Sequence, residues 1–497
     1  MNKIIKAVTN IKAYNTPIYN YLRKYAEEKN NIFHMPGHKL GKGVPGELSH
    51  NLLQLDVTEI DGTDNLHYPE GIIKEAQELA AKAFGADRTF FLVNGSTCGV
   101  QAAIMTACAR GQKIIVGRDS HKSVASGLIL SGAEPIFVQP EFNDEFAISA
   151  EIKPESIENA LRANPDATGV LITRPNYYGV CSDIERISSL VHSYGKLLIV
   201  DEAHGAHLAF SDRLPASALE HGADICIQSA HKTLPAVTQG AYLHVKGNRV
   251  HMEKLDINLS MLQTSSPSYI IMSYLDIARE LMETEGREKL GQLIDINTQF
   301  TEEAEKTGIY KVLSQQNLGI KTTLDPTRLV INISSLGISG YNADKILGEI
   351  YGTRLEMADY ENLVAITTVA DTQESLNRLL EALKSFLGHE AGQNRDYQGD
   401  YQGEIQRNIF KAFWKQTPEA IKIQPWEAYS SEKEVLPLQA CEGRVCAEII
   451  TPYPPGVPLF YPGEIITTSG IQYINDIICA GGKVNGIGNN NSIRVIK

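Results

Sequence analysis

Two short polar segments contain the residues best suited to chemistry, an acid and a lysine that lie 31 positions apart. Asp201 opens the segment Asp-Glu-Ala-His-Gly, and Lys232 ends the segment Ser-Ala-His-Lys. Each follows an apolar run that predicts a β-strand, and ligands of open α/β sheets bind at the carboxyl edge of the strands. A lysine can form an imine with an aldehyde cofactor, while a carboxylate can pair with a protonated pyridine nitrogen. The pair therefore indicates a site for a pyridine aldehyde.

Both residues also have ordinary structural explanations. An Asp at a strand-to-helix turn is a common N-cap, and a lysine near a helix end is often a surface residue. The letters Asp-Glu-Ala-His could also suggest a nucleotide-dependent helicase. Such enzymes need a phosphate-binding loop of the form GxxxxGK[ST], and the sequence contains none.

Two further segments are predicted to reach the same edge of the sheet. Gly95, Ser96 and Thr97 follow a predicted strand and open a helix, where backbone N–H groups and hydroxyls bind phosphate well. A plain helix N-cap is the alternative interpretation. His121 follows another strand in the segment Asp-Ser-His-Lys-Ser. Its ring could stack on a planar cofactor or donate a proton, and a surface histidine is the alternative.

The elements that must position these residues form an α/β pattern between about residues 56 and 245. Short apolar runs alternate there with amphipathic stretches such as Ile72–Ala83, which predicts a parallel sheet covered by helices. Seven strands are predicted, at Thr89–Val93, Lys113–Val116, Pro135–Val138, Gly169–Thr173, Leu197–Val200, Asp224–Gln228 and Ala241–Val245.

A chain of 497 residues is too long for one compact core, so more than one domain is expected. Strong helical character from Tyr269 to about Thr307 suggests a long connecting helix, and the Gly-, Gln- and Asp-rich segment Ala391–Gly403 is predicted to be a linker. An apparent helix at Ile18–Glu28 belongs to an N-terminal arm. The predicted parts are this arm at 1–55, a large cofactor-binding domain at 56–290, a small α/β domain at 291–390 and a C-terminal domain at 391–497.

Composition excludes several classes of protein. The chain has 46 basic and 59 acidic side chains and a net charge of −13, which argues against nucleic acid as the main partner. Its seven cysteines form no CxxC pair, so no metal site is predicted. The N-terminal residues lack the apolar stretch of a secretory signal, and no window is apolar enough for a membrane span. We therefore expect a soluble, cytoplasmic protein.

Taken together, these motifs resemble those of the Orn/Lys/Arg decarboxylase family, a branch of the aspartate-aminotransferase-like (fold type I) pyridoxal-phosphate enzymes. The resemblance covers nearly the whole chain and is greatest to the short bacterial members that lack an N-terminal wing domain. It implies an α/β fold with a large domain built on a mostly parallel seven-stranded sheet, a small α/β domain and a C-terminal α+β domain. The motifs that carry it are His34–Lys39, Asp61–Gly71, Gly95–Thr97, Ser120–Ser123, Asp201–Gly205, Ser229–Lys232, Pro452–Pro458 and Pro462–Glu464.

The resemblance also implies a role for each candidate residue with respect to pyridoxal 5'-phosphate. Lys232 would be the Schiff-base lysine, Asp201 the partner of the pyridinium nitrogen, and His121 the ring-stacking histidine. Family members form dimers with shared active sites, so a homodimer is implied. The remaining implied site residues are Gly95, Ser96, Thr97 and Ser229 at the phosphate, His204 and His231 in the pocket, and Thr264 and Ser265 toward the phosphate of the neighbouring subunit.

The implied reaction is decarboxylation of a basic amino acid. Arginine, giving agmatine for polyamine synthesis, is the favoured substrate, with lysine and ornithine as alternatives. An aminotransferase would share Lys232 and Asp201, but the His-Met-Pro-Gly-His-Lys and Pro-Tyr-Pro-Pro-Gly motifs favour the decarboxylase branch. Retention of both residues argues against a non-catalytic relative. The sequence does not rank the acids that could bind a cationic side chain, which are Asp61, Asp64, Glu356, Asp359 and Glu464.

Overall fold

The computed structural model describes residues 16–49, 52–393, 411, 421–453, 456–488 and 490–497. A seven-stranded sheet forms its centre, and its strands in chain order are β1 Arg88–Leu92, β2 Lys113–Gly117, β3 Glu134–Val138, β4 Gly169–Thr173, β5 Leu197–Asp201, β6 Ile225–Gln228 and β7 Ala241–Val245. Their spatial order in the sheet is β1-β7-β6-β5-β4-β2-β3. Only β7 in this sheet runs antiparallel to its neighbours, so the predicted mostly parallel sheet is confirmed.

The sheet is covered on both faces, which explains why its strands are continuous apolar runs. In β5, Leu198 and Val200 pack into one hydrophobic core, whereas Leu197 and Ile199 pack into another core on the opposite face. Alternate side chains of a strand point to opposite faces, so a strand buried on both sides has no position for a solvated polar residue. Polar residues therefore appear mainly where the strands end. Thr89 of β1 and His244 of β7 are buried exceptions, and their side chains hydrogen-bond to each other over 2.8 Å.

Helices connect and cover these strands. Among them, the first helix after β1 starts at Gly95 and the first after β2 starts at Lys122. The helical stretch predicted from Tyr269 consists of two α-helices joined by a single π-helical turn at Met282–Gly286. The helices of six or more residues are α1 Pro17–Glu27, α2 Ile72–Phe84, α3 Gly95–Ala107, α4 Lys122–Ser131, α5 Pro154–Ala163, α6 Ile184–Ser193, α7 Met252–Leu262, α8 Tyr269–Leu281, α9 Arg287–Glu305, α10 Gly340–Ile350, α11 Gln373–Gln393, α12 Pro425–Ser430 and α13 Thr468–Cys479.

A smaller antiparallel sheet follows α9 and has its own core. Its strands, in spatial order, are Lys311–Val312, Arg328–Asn332, Asn362–Ile366 and Met357–Ala358. Helices α10 and α11 pack against it. The N-terminal strand Asn31–Phe33 pairs in parallel with Thr353–Leu355, so part of the predicted arm is attached to this smaller unit. The division of the chain at 55, 290 and 390 stays a prediction.

The described C-terminal part contains two short antiparallel strand pairs, α12 and α13. Lys433–Pro437 pairs with Ser492–Ile496, and Thr451–Tyr453 pairs with Lys483–Asn485. The predicted linker Ala391–Gly403 lies outside the described residues from position 394 onward, and so do Pro454 and Pro455 of the proline motif. Within the described ranges, every helix is too short or too polar to cross a bilayer.

Candidate active site

Asp201 and Lys232 come from neighbouring strands of the central sheet. Asp201 is the last residue of β5, and the parallel register places it beside Ile227 of β6. Lys232 lies in the single helical turn Ala230–Thr233 that follows β6. Both residues line one cavity of about 430 Å³ at the carboxyl edge of the sheet. The structure thus brings the acid and the lysine together where the strand pattern predicts.

Most of the other predicted site residues line the same cavity. These residues are Gly95, Ser96, Thr97, His121, His204 and His231. Ser229 lies one layer deeper, where it is fully buried and its hydroxyl donates a hydrogen bond to the Ser96 hydroxyl over 2.7 Å. Ser229 therefore supports the cavity wall from behind.

The turn that precedes α3 has the geometry of an anion-binding helix start. Gly95 has a φ of +75°, a conformation that side-chain-bearing residues rarely adopt. The Asn94 side chain, at the N-cap position, accepts a hydrogen bond from the Thr264 N–H (3.4 Å) instead of capping the helix. The first turn of α3, with the Ser96 and Thr97 side chains, is consequently directed at the cavity.

Thr264 and Ser265 lie outside the cavity wall of their own chain, and both are exposed. Besides its contact with Asn94, Thr264 accepts a hydrogen bond at its carbonyl from His67 Nε2 over 2.9 Å. The segment therefore lies beside the phosphate turn, at the rim of the site. The Thr264 hydroxyl accepts a hydrogen bond from the Ser266 N–H over 3.1 Å.

His121 occupies the N-cap of α4, which fixes its ring. Its Nδ1 accepts a hydrogen bond from the Ser123 N–H over 3.2 Å. Burial, together with the nearby charges of Lys232 and Lys122, lowers the pKa of His121 to about 3. The ring is therefore neutral at physiological pH, and its proton resides on Nε2. On its outer side, a Cβ placed on Gly456 would lie 3.2 Å from His121 Cδ2, so the C-terminal part of the chain contacts this ring closely.

The other two histidines are also neutral. Burial lowers the pKa of His231 to about 4, and its Nδ1 lies 3.0 Å from the Gly240 carbonyl. Because a carbonyl only accepts, His231 carries its proton on Nδ1 and leaves Nε2 as a basic atom. His204 lies between Lys232 and Arg328, and burial lowers its pKa well below the usual value.

Burial shifts the acid and the lysine in opposite directions. It raises the pKa of Asp201, and the charge of Lys232 only partly offsets this shift. It also lowers the pKa of the Lys232 amine, although Asp201 and Glu356 act against that effect. Desolvation disfavours the charged form of each group. The site thus contains a carboxylate that a cation would stabilise and an amine whose nucleophilic, neutral form is favoured.

Of the five acids considered for a cationic side chain, Glu356 lines the cavity. Its Oε2 accepts a hydrogen bond from the Met35 N–H over 2.9 Å. The other four lie elsewhere. Asp61 is exposed, and Asp64 accepts hydrogen bonds from backbone N–H groups at the start of α2. Asp359 accepts a hydrogen bond from the Tyr178 hydroxyl, and Glu464 forms an ion pair with Arg118.

Sequence reasoning missed several residues of the cavity wall, among them Met35, Tyr177, Arg328 and Tyr453. Met35 and Tyr453 belong to motifs that carried the family resemblance, so a signal was present for both. Tyr177 follows the end of β4, and its position after a strand was also a signal. Arg328 begins a strand of the smaller sheet, and no pattern in the sequence connects it with the cavity.

Several known proteins are similar to this chain in sequence or in fold. An arginine decarboxylase of Bacillus subtilis (strain 168) is 39% identical over 493 residues, which cover 97% of this chain and 98% of that protein. An arginine decarboxylase of Bacillus anthracis is 37% identical over 482 residues, which cover 96% of each chain. The fold is similar to that of lysine decarboxylase A from Pseudomonas aeruginosa, with a TM-score of 0.79, 21% identity and coverage of 97% of this chain and 80% of that chain.

Two models of a single family match the sequence. The Orn/Lys/Arg decarboxylase major domain matches residues 16–375, and the Orn/Lys/Arg decarboxylase C-terminal domain matches residues 403–487. The two matches together include every motif that carried the resemblance. The second match ends at residue 487. The family predicted from the motifs is therefore confirmed, and the chain belongs to the Orn/Lys/Arg decarboxylase family.

Proposed function

We propose that this enzyme removes the α-carboxylate of arginine as CO2, giving agmatine, with pyridoxal 5'-phosphate held by Lys232. The observation that carries the proposal is the convergence of Lys232 and Asp201 on one cavity beside the first turn of α3. Lysine and ornithine are the alternative substrates. The product agmatine would supply polyamine synthesis, and we propose that the enzyme works in the cytoplasm.

The residues of the cavity suit pyridoxal phosphate. Lys232 offers a neutral amine to the aldehyde, and the buried Asp201 offers a carboxylate to a protonated ring nitrogen. The start of α3 and the hydroxyls of Ser96 and Thr97 offer donors to a phosphate. Bound there, the cofactor supplies an electron sink for the electron pair left behind when CO2 departs.

The histidines divide the remaining tasks. The neutral ring of His121, fixed through Ser123, offers a flat surface to the cofactor. His231 holds its proton on Nδ1, so Nε2 is the atom that can take up a second proton and return it to the α-carbon of the substrate. Lys232 is the alternative proton donor at this step.

Glu356 is the proposed partner of the substrate side chain. A guanidinium pairs with a carboxylate through two parallel hydrogen bonds, which favours arginine over a point-like ammonium. The backbone N–H of Met35 already holds one oxygen of Glu356 and so orients the carboxylate. The naming of the Bacillus relatives as arginine decarboxylases supports the same preference.

We further propose that the active form is a homodimer. Thr264 and Ser265 are exposed at the rim, beside the phosphate turn of their own chain, and their hydroxyls could reach the phosphate in a second copy. If so, the double substitution Thr264→Ala and Ser265→Ala weakens retention of the cofactor without unfolding the chain. Equilibrium dialysis against the cofactor measures this, and unchanged retention would contradict the proposal.

A product assay tests the reaction itself. The purified chain with pyridoxal phosphate is supplied with arginine, lysine or ornithine and no keto acid, and products are identified by mass spectrometry. We expect CO2 and agmatine from arginine. Lys232→Ala should lose the imine absorbance band and turnover together, whereas Lys289→Ala, an exposed lysine on α9, should keep both. Release of a keto acid, or no CO2 from any of the three, would refute the assignment.

A further inference from the structure

Two buried side chains and the half-buried Lys232 form a hydrogen-bonded row that ends at the lysine. Arg328 Nη2 lies 3.0 Å from His204 Nδ1, and His204 Nε2 lies 3.1 Å from Lys232 Nζ. Arg328 is 2% exposed and His204 is 4% exposed, so bulk water has little access to their contact. Arg328 comes from the smaller sheet, whereas His204 and Lys232 come from the large one. The row therefore links the two parts of the molecule.

The chemistry of the three groups allows one arrangement of protons. A guanidinium stays protonated and has only donors, so His204 Nδ1 must accept its hydrogen bond. In a neutral imidazole the proton then resides on Nε2, and this N–H points at Lys232. An ammonium has no acceptor, so the lysine can receive that hydrogen bond only as a neutral amine.

We infer that Arg328 holds His204 in the Nε2–H tautomer, and that His204 in turn holds Lys232 as a neutral amine. Arg328 and His204 would be positioning residues that act on the lysine. The inference rests on the proposed function in one respect, because a neutral amine is the form that attacks an aldehyde. The proton arrangement itself does not depend on which substrate is used.

The surroundings of the row favour the same arrangement. A proton on His204 Nδ1 would place two donors 3.0 Å apart at a buried contact. The Tyr177 ring packs edge-on against His204 with centroids 5.0 Å apart and restrains the imidazole. Around Lys232, the carboxylates of Asp201 and Glu356 favour the ammonium, while Arg328 and burial oppose it. His121 and His231 face His204 from the other sides, and both are neutral.

Nitrogen NMR tests the tautomer directly. The full-length chain is labelled with 15N-histidine and freed of cofactor with hydroxylamine, and the His204 signals are assigned by their loss in His204→Ala. We expect a protonated Nε2 and a bare Nδ1 throughout pH 6–9. A proton on Nδ1, or an imidazolium at pH 7, would overturn the inference even if Arg328 variants do not fold.

The effect on the lysine is tested by a double-mutant cycle. The pH midpoint for imine formation between the cofactor-free chain and added pyridoxal phosphate is followed by absorbance in the parent, Arg328→Met, His204→Ala and the double variant. Arg328→Met should raise the midpoint by about one pH unit, because a nearby positive charge and the fixed donor both disfavour the ammonium. In the His204→Ala background the same substitution should raise it by less than half as much, since only the direct effect of charge remains. Equal shifts in the two backgrounds would show that Arg328 does not act through His204.

These outcomes are separable from those of the product assay. Both measurements are made without substrate, so they hold whether or not arginine is decarboxylated. If CO2 is absent while the Nε2–H tautomer is found, the proposed function fails and the inference stands. If CO2 is produced while the proton resides on Nδ1, the inference fails and the function stands.

Discussion

Replacing Arg118 by Met should release the C-terminal segment from the active site. Arg118 follows β2 directly and is 6% exposed. Its guanidinium donates hydrogen bonds to the carbonyls of Pro458 and Leu459 (2.8 Å each) and to Glu464 Oε2 (3.1 Å). Glu464 is also 6% exposed. Methionine would keep most of the side-chain volume but would leave three buried acceptors without this donor.

The expected loss follows from that burial. Breaking a buried ion pair from one side costs about 3–5 kcal/mol because the remaining charge has no compensation. Burial already raises the pKa of Glu464, so protonation offers an escape that keeps the loss near the lower figure, about 3 kcal/mol. At about 1.4 kcal/mol for each factor of ten, the segment should open on the order of 100 times more often.

Hydrogen exchange read by mass spectrometry measures this opening, since local unfolding sets the exchange rate of protected amides. Amides of residues 456–464 should exchange about 100-fold faster in Arg118→Met, while those of α9 should not change. Arg494→Met is the matched control, because its ion pair with Glu448 lies in the same part of the chain but is 55% exposed at Arg494. Exposed pairs contribute about 1 kcal/mol or less. If the two variants exchange alike, the buried pair does not anchor the segment.

Three further predictions concern single residues. Gly456→Ala should weaken cofactor retention and alter the imine spectrum, because the new Cβ, at a φ of +94°, would lie 3.2 Å from the His121 ring. Gly443→Ala is the control, since its φ of +73° gives similar backbone strain but its Cβ would meet open space. Similar spectra for both variants would count against the contact. Glu356→Gln should raise the KM for arginine about tenfold with a smaller change in kcat, because the charge-assisted hydrogen bond to the guanidinium is lost. An unchanged KM in steady-state assays would rule out Glu356 as this partner. Burial raises the pKa of Asp119 from 3.8 to about 7. The stability that its protonation contributes is therefore fully present below about pH 4 and is lost as the pH rises through 7. Between pH 4 and 8 the melting temperature of Asp119→Asn should therefore fall less than that of the parent, and at pH 8 it should be the higher of the two. Parallel plots of melting temperature against pH for the two proteins would contradict this.

Much of the site could be predicted because its residues follow strands. Asp201, Lys232, His121 and Gly95 each come shortly after an apolar run, and parallel strands bring their carboxyl ends to one edge. The strand bounds predicted from the apolar runs differ from the observed ones by one residue at most. The family and the fold class were also predictable, since several separate motifs agree, and both predictions are confirmed.

The acids show where prediction from sequence stopped. Glu356, Asp359 and Glu464 are equivalent as letters, yet one lines the cavity and two are held by a tyrosine and an arginine far away in the chain. The hydrogen bond from Tyr178 to Asp359 joins residues 181 positions apart. No periodic pattern specifies such a contact, because it depends on how separately formed units pack together.

The sequence by itself determined the alternation of buried strands and helices, and with it the edge at which an acid and a lysine must appear, because burial on both faces forces polar residues to the strand ends. Only the tertiary structure decided which residues of the smaller sheet and the C-terminal part complete the site, among them Arg328 and Tyr453. It also decided which ring nitrogen of His204 and of His231 carries the proton. A tautomer follows from the donor or acceptor that each ring nitrogen meets. His231 meets the Gly240 carbonyl nine positions away, whereas packing brings Arg328 to His204 from 124 positions away in the chain.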